Sequence, residues 1–367
     1  MSLVILLDIS EAEIITISEL SNKPENLHED WVFHRTLSSG KTQCLVCARH
    51  CHLISGETGW CGARMCQEGK VVPRTYGLVS SVAVDPIEKK PLYHFLPGTG
   101  ILSIGATGCN MGCLHCQNHS ISQSRSIAHL RRVSPRELVN HALERNLPSI
   151  ASTYNEPMIA FEYVRDIGRI AHQDGLKMVV VDNGYINRGL AERLTAYLDG
   201  ANIDVKGFSD EFYWEICDVK AWKLVLKTCE TFFNRGVHLE ITNLIIPTKN
   251  DDMEMIRGMC EWIVTKLSPN VPLHFSAFHP DYRLRDLPFT PMKTLEDALT
   301  VAKDVGLNYV YLGNVRGRKG NDTYCHNCHS HLISRTGYYT RILGITEGRC
   351  AKCNTKIPGI FSNSDPA

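Results

Sequence analysis

Three cysteines, Cys109, Cys113 and Cys116, crowd one short loop, Gly108-Cys109-Asn110-Met111-Gly112-Cys113-Leu114-His115-Cys116-Gln117-Asn118. The loop directly follows an apolar run, Ile101–Ile104, that reads as a strand. C-x3-C-x2-C spacing constrains the fold strongly, because the chain must present three thiols together at the end of that strand. Three thiolates can hold three irons of a 4Fe–4S cubane, whereas a closed cluster takes four. A structural zinc site is the plainer alternative, but it takes four protein ligands and no fourth Cys lies in the loop. The shortage leaves one iron open to a ligand that is not protein.

The 367 residues can bury a sizeable core, and 43% hydrophobic with 21% charged content is that of a soluble globular protein. Lys and Arg number 39 against 39 Asp and Glu, so a net charge of zero gives no general attraction to nucleic acid or an anionic membrane. The apolar run Leu3–Leu7 is soon interrupted by Asp8 and Glu11, too short for a signal peptide or a membrane span. Fifteen cysteines is many. Most fall in three tight groups, which in a chain without a secretion signal read as metal sites in a reducing cytoplasm rather than disulfides. Cys217, Cys229 and Cys260 stand among helical apolar patterns and read as inert core residues.

After a polar stretch, Ser21–Asp30, and the aromatics Trp31 and Phe33, the first cysteine group is Cys44, Cys47, Cys51 and Cys61. Four thiolates over so short a span form a small closed metal knuckle, for which zinc and a second iron–sulfur cluster are both chemically allowed. Cys66 reads as a bystander. Val71–Val84 reads as alternating strands, and Asp85–Gly98 as a connector whose aromatics make it a candidate wall of the active site.

From residue 100 short apolar runs alternate with amphipathic stretches. The strands are Ile101–Ile104, Ser149–Tyr154, Met178–Val181, Asn202–Val205, Val237–Ile246, Leu273–Phe278 and Tyr309–Leu312. Ser134-Pro135-Arg136-Glu137 announces one helix, with Ser at the N-cap, Pro at N1 and Glu at N3. Others are expected over Pro157–His172, Arg188–Tyr197, Asp210–Asn234, Met253–Leu267 and Leu295–Asp304. Such alternation means parallel strands with right-handed crossovers, an α/β fold that closes into a partial or near-complete barrel. Chemistry in such barrels sits at the C-terminal ends of the strands. There the sequence places Thr153-Tyr154-Asn155-Glu156-Pro157, Asp182-Asn183-Gly184-Tyr185, Asp204-Val205-Lys206-Gly207, Glu240-Ile241-Thr242-Asn243 and Ser276-Ala277-Phe278-His279-Pro280.

Cys325-x2-Cys328 and Cys350-x2-Cys353 end the chain as a zinc ribbon, with Tyr338–Leu343 as a ribbon strand. The expected parts are a Cys-rich extension at 1–98, the barrel at 99–316 and the ribbon at 317–367. No run of basic residues marks the ribbon as a nucleic-acid contact.

The C-x3-C-x2-C loop, the Tyr154-Asn155-Glu156-Pro157 strand end and Asp204-x-Lys206 resemble the radical S-adenosylmethionine (SAM) enzymes, in the branch that includes the pyruvate formate-lyase activases. Asp85–Gly98, Glu240–Pro247, His274–Leu287 and the terminal Ile357-Pro358-Gly359-Ile360-Phe361 narrow the likeness. With the N-terminal cysteines, they resemble the AmmeMemoRadiSam-system radical SAM enzymes from about residue 44 to 361. The resemblance implies a partial triosephosphate-isomerase-type barrel and a 4Fe–4S cluster held by Cys109, Cys113 and Cys116. It also implies reductive cleavage of SAM to methionine and a 5′-deoxyadenosyl radical, which takes hydrogen from a small organic substrate.

A pocket for SAM needs acceptors, a cation and stacking surface. Glu156 with Asn155 suits the SAM ammonium, Asp204 the ribose and Lys206 the carboxylate, with Asp182 and Asn183 at the neighbouring strand end. His115 stands where the superfamily often has an aromatic residue near the adenine. Only Glu156 and Pro157 match the superfamily's Gly-Gly-Glu stretch. An electron donor such as ferredoxin or flavodoxin is implied, as is joint action with AMMECR-like and Memo-like proteins. Two alternatives remain: an activase acting on a protein glycine, and a non-catalytic protein in which all three cysteine groups hold zinc. Residues 117–148 contain no Cys, so no ferredoxin-like insert of the kind many activases carry follows the loop.

Overall fold

Eight strands form one sheet in simple chain order: β1 (Ser81–Pro86), β2 (Gly100–Gly105), β3 (Ser149–Ser152), β4 (Lys177–Asp182), β5 (Gly200–Asp204), β6 (His238–Ile245), β7 (Leu273–Ala277) and β8 (Val310–Gly313). The computed structural model describes residues 31–315 and 321–362. The run Leu3–Leu7, the stretch Ser21–Asp30 and the expected 316/317 boundary lie outside them. Strands β2 to β8 pair in parallel, and β1 adds an antiparallel edge to β2. Since β1 and β8 are not paired with each other, the barrel is partial. The expected division at 98/99 assigns β1 to the extension, whereas β1 is part of the barrel sheet.

The crossovers are α1 (Pro135–Glu144), α2 (Phe161–Gln173), α3 (Arg188–Leu194), α4 (Asp210–Cys217), α5 (Lys223–Asn234), α6 (Met253–Trp262) and α7 (Met292–Val305). Helix α1 begins as the sequence expects: the Ser134 side chain accepts from the Glu137 amide, and the Glu137 carboxylate accepts from that of Ser134. Its buried Leu138, Val139 and Ala142 fall at helical spacing and join the main core. Full burial of a leucine of this kind stabilises by about 1.5–3 kcal/mol.

One expected helix is two. The pattern over Asp210–Asn234 breaks after Cys217, where Asp218 and Ala221 adopt φ of 54° and 56°. A helix end leaves carbonyls without intrahelical partners. Those of Ile216 and Cys217 accept the amides of Leu114 and Gly112, so the end of α4 holds the cysteine loop. A continuous helix would have used the same carbonyls internally.

The connector after β1 is not a surface segment. Its Ile87, Leu92, Phe95 and Leu96 are buried against Ile101, Ala151 and Val179 of β2, β3 and β4, and so fill the barrel interior. Ile360 completes that cluster, with its amide on the His94 carbonyl and its carbonyl accepting the Leu96 amide. The ribbon therefore closes the barrel floor. Its strands His331–Thr336 and Tyr339–Ile342 form a hairpin, and Arg335 donates to the Tyr93 carbonyl at 2.6 Å. No helix among the described residues is long and apolar enough to cross a membrane.

Candidate active site

Side chains alternate across a strand, so residues two apart share a face. Register sets Asp204 beside Thr242 and Leu244 beside Ser276, and all four line one cavity at the C-terminal ends of the strands. The cavity measures about 500 Å³, a size ordinary for a small organic ligand. Cys109, Cys113, His115 and Cys116 border it from the loop after β2, Asn155 and Glu156 from after β3, Asp182 and Asn183 from β4, and Asp204 and Lys206 from β5.

Glu156 is buried and held by two amides, those of Met158 and Asn183, each at 2.9 Å. Burial nevertheless pushes its carboxyl up to about 7. Asn155 is committed to the loop: its amide oxygen accepts from Ala106 at 3.0 Å and its nitrogen donates to the Gly108 carbonyl at 2.9 Å. Asn183 donates to Asn110 Oδ1 at 2.8 Å and reaches Cys109 Sγ at 3.6 Å. Both amides thus shape the cysteine loop as well as border the cavity.

Asp182 takes the Gly184 amide on one oxygen, while its other buried oxygen has no partner. Burial, with Glu156 nearby, lifts it well above the carboxylate range. Burial works against the Lys206 charge, yet the Asp204 carboxylate at 2.6 Å keeps its pKa above the ordinary lysine value. His115 is buried with an unpaired Nδ1, and burial, then Lys206, pulls it down to about 3, so the ring is neutral.

Cys217, expected to be inert core, instead sets its thiol against Cys113. That hydrogen bond is the main cause holding Cys113 below its usual value, and burial pushes Cys217 well up. Glu240 does not reach the cavity. It is fully buried at the floor, accepting from the amides of Tyr93 and His94 at 3.0 and 2.7 Å and meeting His238 and His274 at 3.0 and 2.6 Å. It shares a face with Thr242 but lies nearer the strand's start.

The connector does reach the cavity, as Lys89, Lys90 and Pro91. Lys90 lies 2.6 Å from Asp85 and 4.3 Å from the Tyr154 ring centre, and burial draws it down to about 8. Tyr154 donates its hydroxyl to the same Asp85 carboxylate and has φ of 72°. Tyr338, between the ribbon strands, borders the mouth from far along the chain; nothing in its local sequence pointed there.

The donor set fits what the resemblance implies. Three thiols face a cavity whose walls keep buried polar atoms without partners, His115 Nδ1 and Asp182 Oδ2, as a cluster with a polar organic ligand requires. The four ribbon thiols are a different kind of site. Among the described residues, Cys325, Cys328, Cys350 and Cys353 alone bring three or more His, Cys, Asp or Glu ligand atoms all within 4.8 Å of one another. That geometry is compatible with zinc.

The family model described as Radical SAM superfamily matches residues 103–263. The chain contains a radical SAM domain. Such a domain implies a 4Fe–4S cluster and SAM, and the mostly parallel α/β sheet is the fold expected of it. An uncharacterised protein of Methanocaldococcus jannaschii is 41% identical over 329 residues, covering 89% of this radical SAM chain and 98% of the relative. The pyruvate formate-lyase 1-activating enzyme of Escherichia coli is 22% identical over 163 residues, 42% of this chain and 65% of that enzyme. A solved domain of pyruvate-formate lyase-activating enzyme from Bacteroides vulgatus is similar with 18% identity and a TM-score of 0.40, covering 45% of this chain and 98% of that one.

Proposed function

We propose that this radical SAM protein belongs to the AmmeMemoRadiSam system, with a 4Fe–4S cluster on Cys109, Cys113 and Cys116 and SAM in the adjoining cavity. What supports the reading most is that loop and strand ends far apart in sequence open on a single cavity. Bound there, the cluster and SAM supply reductive cleavage to methionine and a 5′-deoxyadenosyl radical able to take hydrogen from a small organic substrate.

The chain's residues bind and orient. Glu156 takes the SAM ammonium, Asp204 the ribose and Lys206 the carboxylate, while neutral His115 offers a flat surface to the adenine. Asn155 and Asn183 fix the loop that presents the thiols. Lys90, Tyr154 and Tyr338 border the same cavity and face what enters beside SAM. The proposal includes a one-electron donor such as ferredoxin or flavodoxin, joint action with AMMECR-like and Memo-like proteins, a cytoplasmic location and zinc in the ribbon. The proposed parts are 1–98, 99–316 and 317–367, the first contributing β1 as an edge strand to the barrel sheet of the second.

Incubation with SAM and dithionite tests the core of this. Anaerobically reconstituted protein should release 5′-deoxyadenosine, Cys113→Ala should release none, and Glu156→Gln should lose SAM binding while keeping its iron. Cleavage by Cys113→Ala would refute the assignment. The likeness to a pyruvate formate-lyase activating enzyme favours a second reading, hydrogen abstraction from a protein glycine. Electron paramagnetic resonance of mixtures with candidate partner proteins would reveal a glycyl radical. Pull-down with the AMMECR-like and Memo-like proteins tests the partners, and absence of any complex or rate effect would remove them.

A further inference from the structure

Cys44, Cys47, Cys51 and Cys61 line a second cavity, faced also by Arg49, Arg64 and Ile159. Every thiol in it meets a backbone amide. Val46 donates to Cys44, Arg49 to Cys47, Trp60 to Cys51 at 3.4 Å, and Ala63 with Arg64 to Cys61. Burial is the larger influence and pushes Cys44, Cys47 and Cys61 up, with the amides working against it. Arg64 is 3% exposed. It binds Glu162 through one terminal nitrogen at 2.5 and 2.7 Å, yet its buried Nε has no acceptor. The cavity thus gathers four thiols, with an arginine Nε beside it that has no acceptor.

The ribbon shows what a zinc site looks like in the same chain. There Cys325 and Cys353 are 3.6 Å apart, and Cys328 and Cys350 3.7 Å. Four thiolates on one zinc at ~2.3 Å stand ~3.8 Å from each other, so those thiols already have single-ion spacing. No three of the N-terminal thiols meet even the looser limit of 4.8 Å, although all four border one cavity. Cys109, Cys113 and Cys116, which the family uses for a cluster, are spread in the same way. A cubane takes one thiolate on each iron, so its ligands stand at the corners of a body rather than around a point.

We propose that Cys44, Cys47, Cys51 and Cys61 bind a second 4Fe–4S cluster, closed by four thiolates. It lies beside the first. The Cys61 carbonyl packs against Gly108, and the Arg49 side chain donates Nε–H to the Asn110 carbonyl at 2.6 Å, so the two cysteine loops touch. Closure by four thiolates leaves no iron for a small ligand, which separates this site from the SAM cavity.

Iron, sulfide and zinc analysis of the full chain, purified and reconstituted without oxygen, decides the matter. Wild type should carry about eight irons, eight sulfides and one zinc. A Cys109→Ala/Cys113→Ala/Cys116→Ala variant should stay brown with about four irons, four sulfides and one zinc. The ribbon zinc and circular dichroism report whether that variant has folded. If it has not, a wild-type total of about eight irons rather than four carries the decision. A folded triple variant without iron, whether with two zincs or one, overturns the proposal. Wild type and triple variant both holding about four irons would sustain it and instead remove the first cluster.

Discussion

Gly108→Ala should damage this protein badly, because a left-handed conformation and the shortest backbone contact of any described glycine meet at that residue. Gly108 has φ of +85°, and a left-handed conformation costs an L-residue about 1–2 kcal/mol. A β-carbon there would also lie 2.1 Å from the Cys61 carbonyl oxygen and 3.3 Å from its carbon. Backbone on both sides cannot swing away as a flexible side chain would, and overpacking of this kind costs about 1–3 kcal/mol. Together they destabilise by about 2–5 kcal/mol. Gly175→Ala is the control, since Gly175 has φ of +75° with no atom within 4 Å of the added carbon, so it carries the conformational part alone. With an unfolding entropy of about 2.1 cal/mol/K per residue, the 367 residues predict a Tm drop of ~3–6 °C for Gly108→Ala and ~1–3 °C for the control. Thermal unfolding followed by circular dichroism gives both numbers on identical preparations. Iron content should fall for Gly108→Ala only, because Cys109 moves with its neighbour. Equal Tm drops in the two variants, with full iron in both, would refute the account of the contact between loops.

Arg64→Met should cost about 3–5 kcal/mol in urea denaturation, because it leaves Glu162, 3% exposed, buried without its partner. Arg64→Met/Glu162→Leu should regain most of that loss, and no recovery would show that the pair is not the reason. Acid should destabilise the barrel floor in two stages. Burial pulls His94 from 6.5 down to about 4, so the unfolded chain takes up a proton that the folded one refuses as pH falls between those values. Burial opposes the Glu240 charge, but His238 and His274 hold its pKa well below 4.5, so its contribution is complete above pH 4.5 and lost progressively below it. Each group adds a slope of up to about 1.4 kcal/mol per pH unit, and a denaturation midpoint that stays flat from pH 7 to 4 would contradict the scheme. Cys328→Ala should lose the zinc proposed for the ribbon, about one per chain, and raise hydrogen exchange at residues 93–96, which the ribbon covers. Unchanged exchange would mean that the ribbon does not hold the floor.

The barrel was legible because its signal is repetitive: apolar runs and helical stretches alternate from Ile101 to Leu312, and each observed strand falls within a residue or two of the expected one. Residues of the cavity were legible where a polar group stands just after an apolar run, as Glu156, Asp182 and Lys206 do. Period-two alternation gives the face of a strand but not the depth along it, which is why Glu240 read like Thr242 although one lies at the floor and the other at the cavity. The break after Cys217 has no Gly or Pro to announce it; its cause is the distant loop that takes the helix-end carbonyls. Leu92, Phe95 and Leu96 follow neither period, since they fill the barrel's interior rather than cover one face of a sheet. Tyr338 reaches the cavity only through the docking of the ribbon, a tertiary event that no local pattern encodes.

The contact between Ile360 and the segment His94–Leu96 bears on how the protein is born. Phe95 leaves the ribosome before any of the strands that surround it, yet the residue that seals it in place is made some 265 positions later, the separation of 95 from 360. Until then a nascent chain carries an open-ended cylinder of parallel strands with its stopper untied, the kind of long-range closure that folds slowly and leaves apolar surface exposed. Synthesis of Ile360, rather than completion of the last barrel strand, is thus the earliest point from which the interior can become dry.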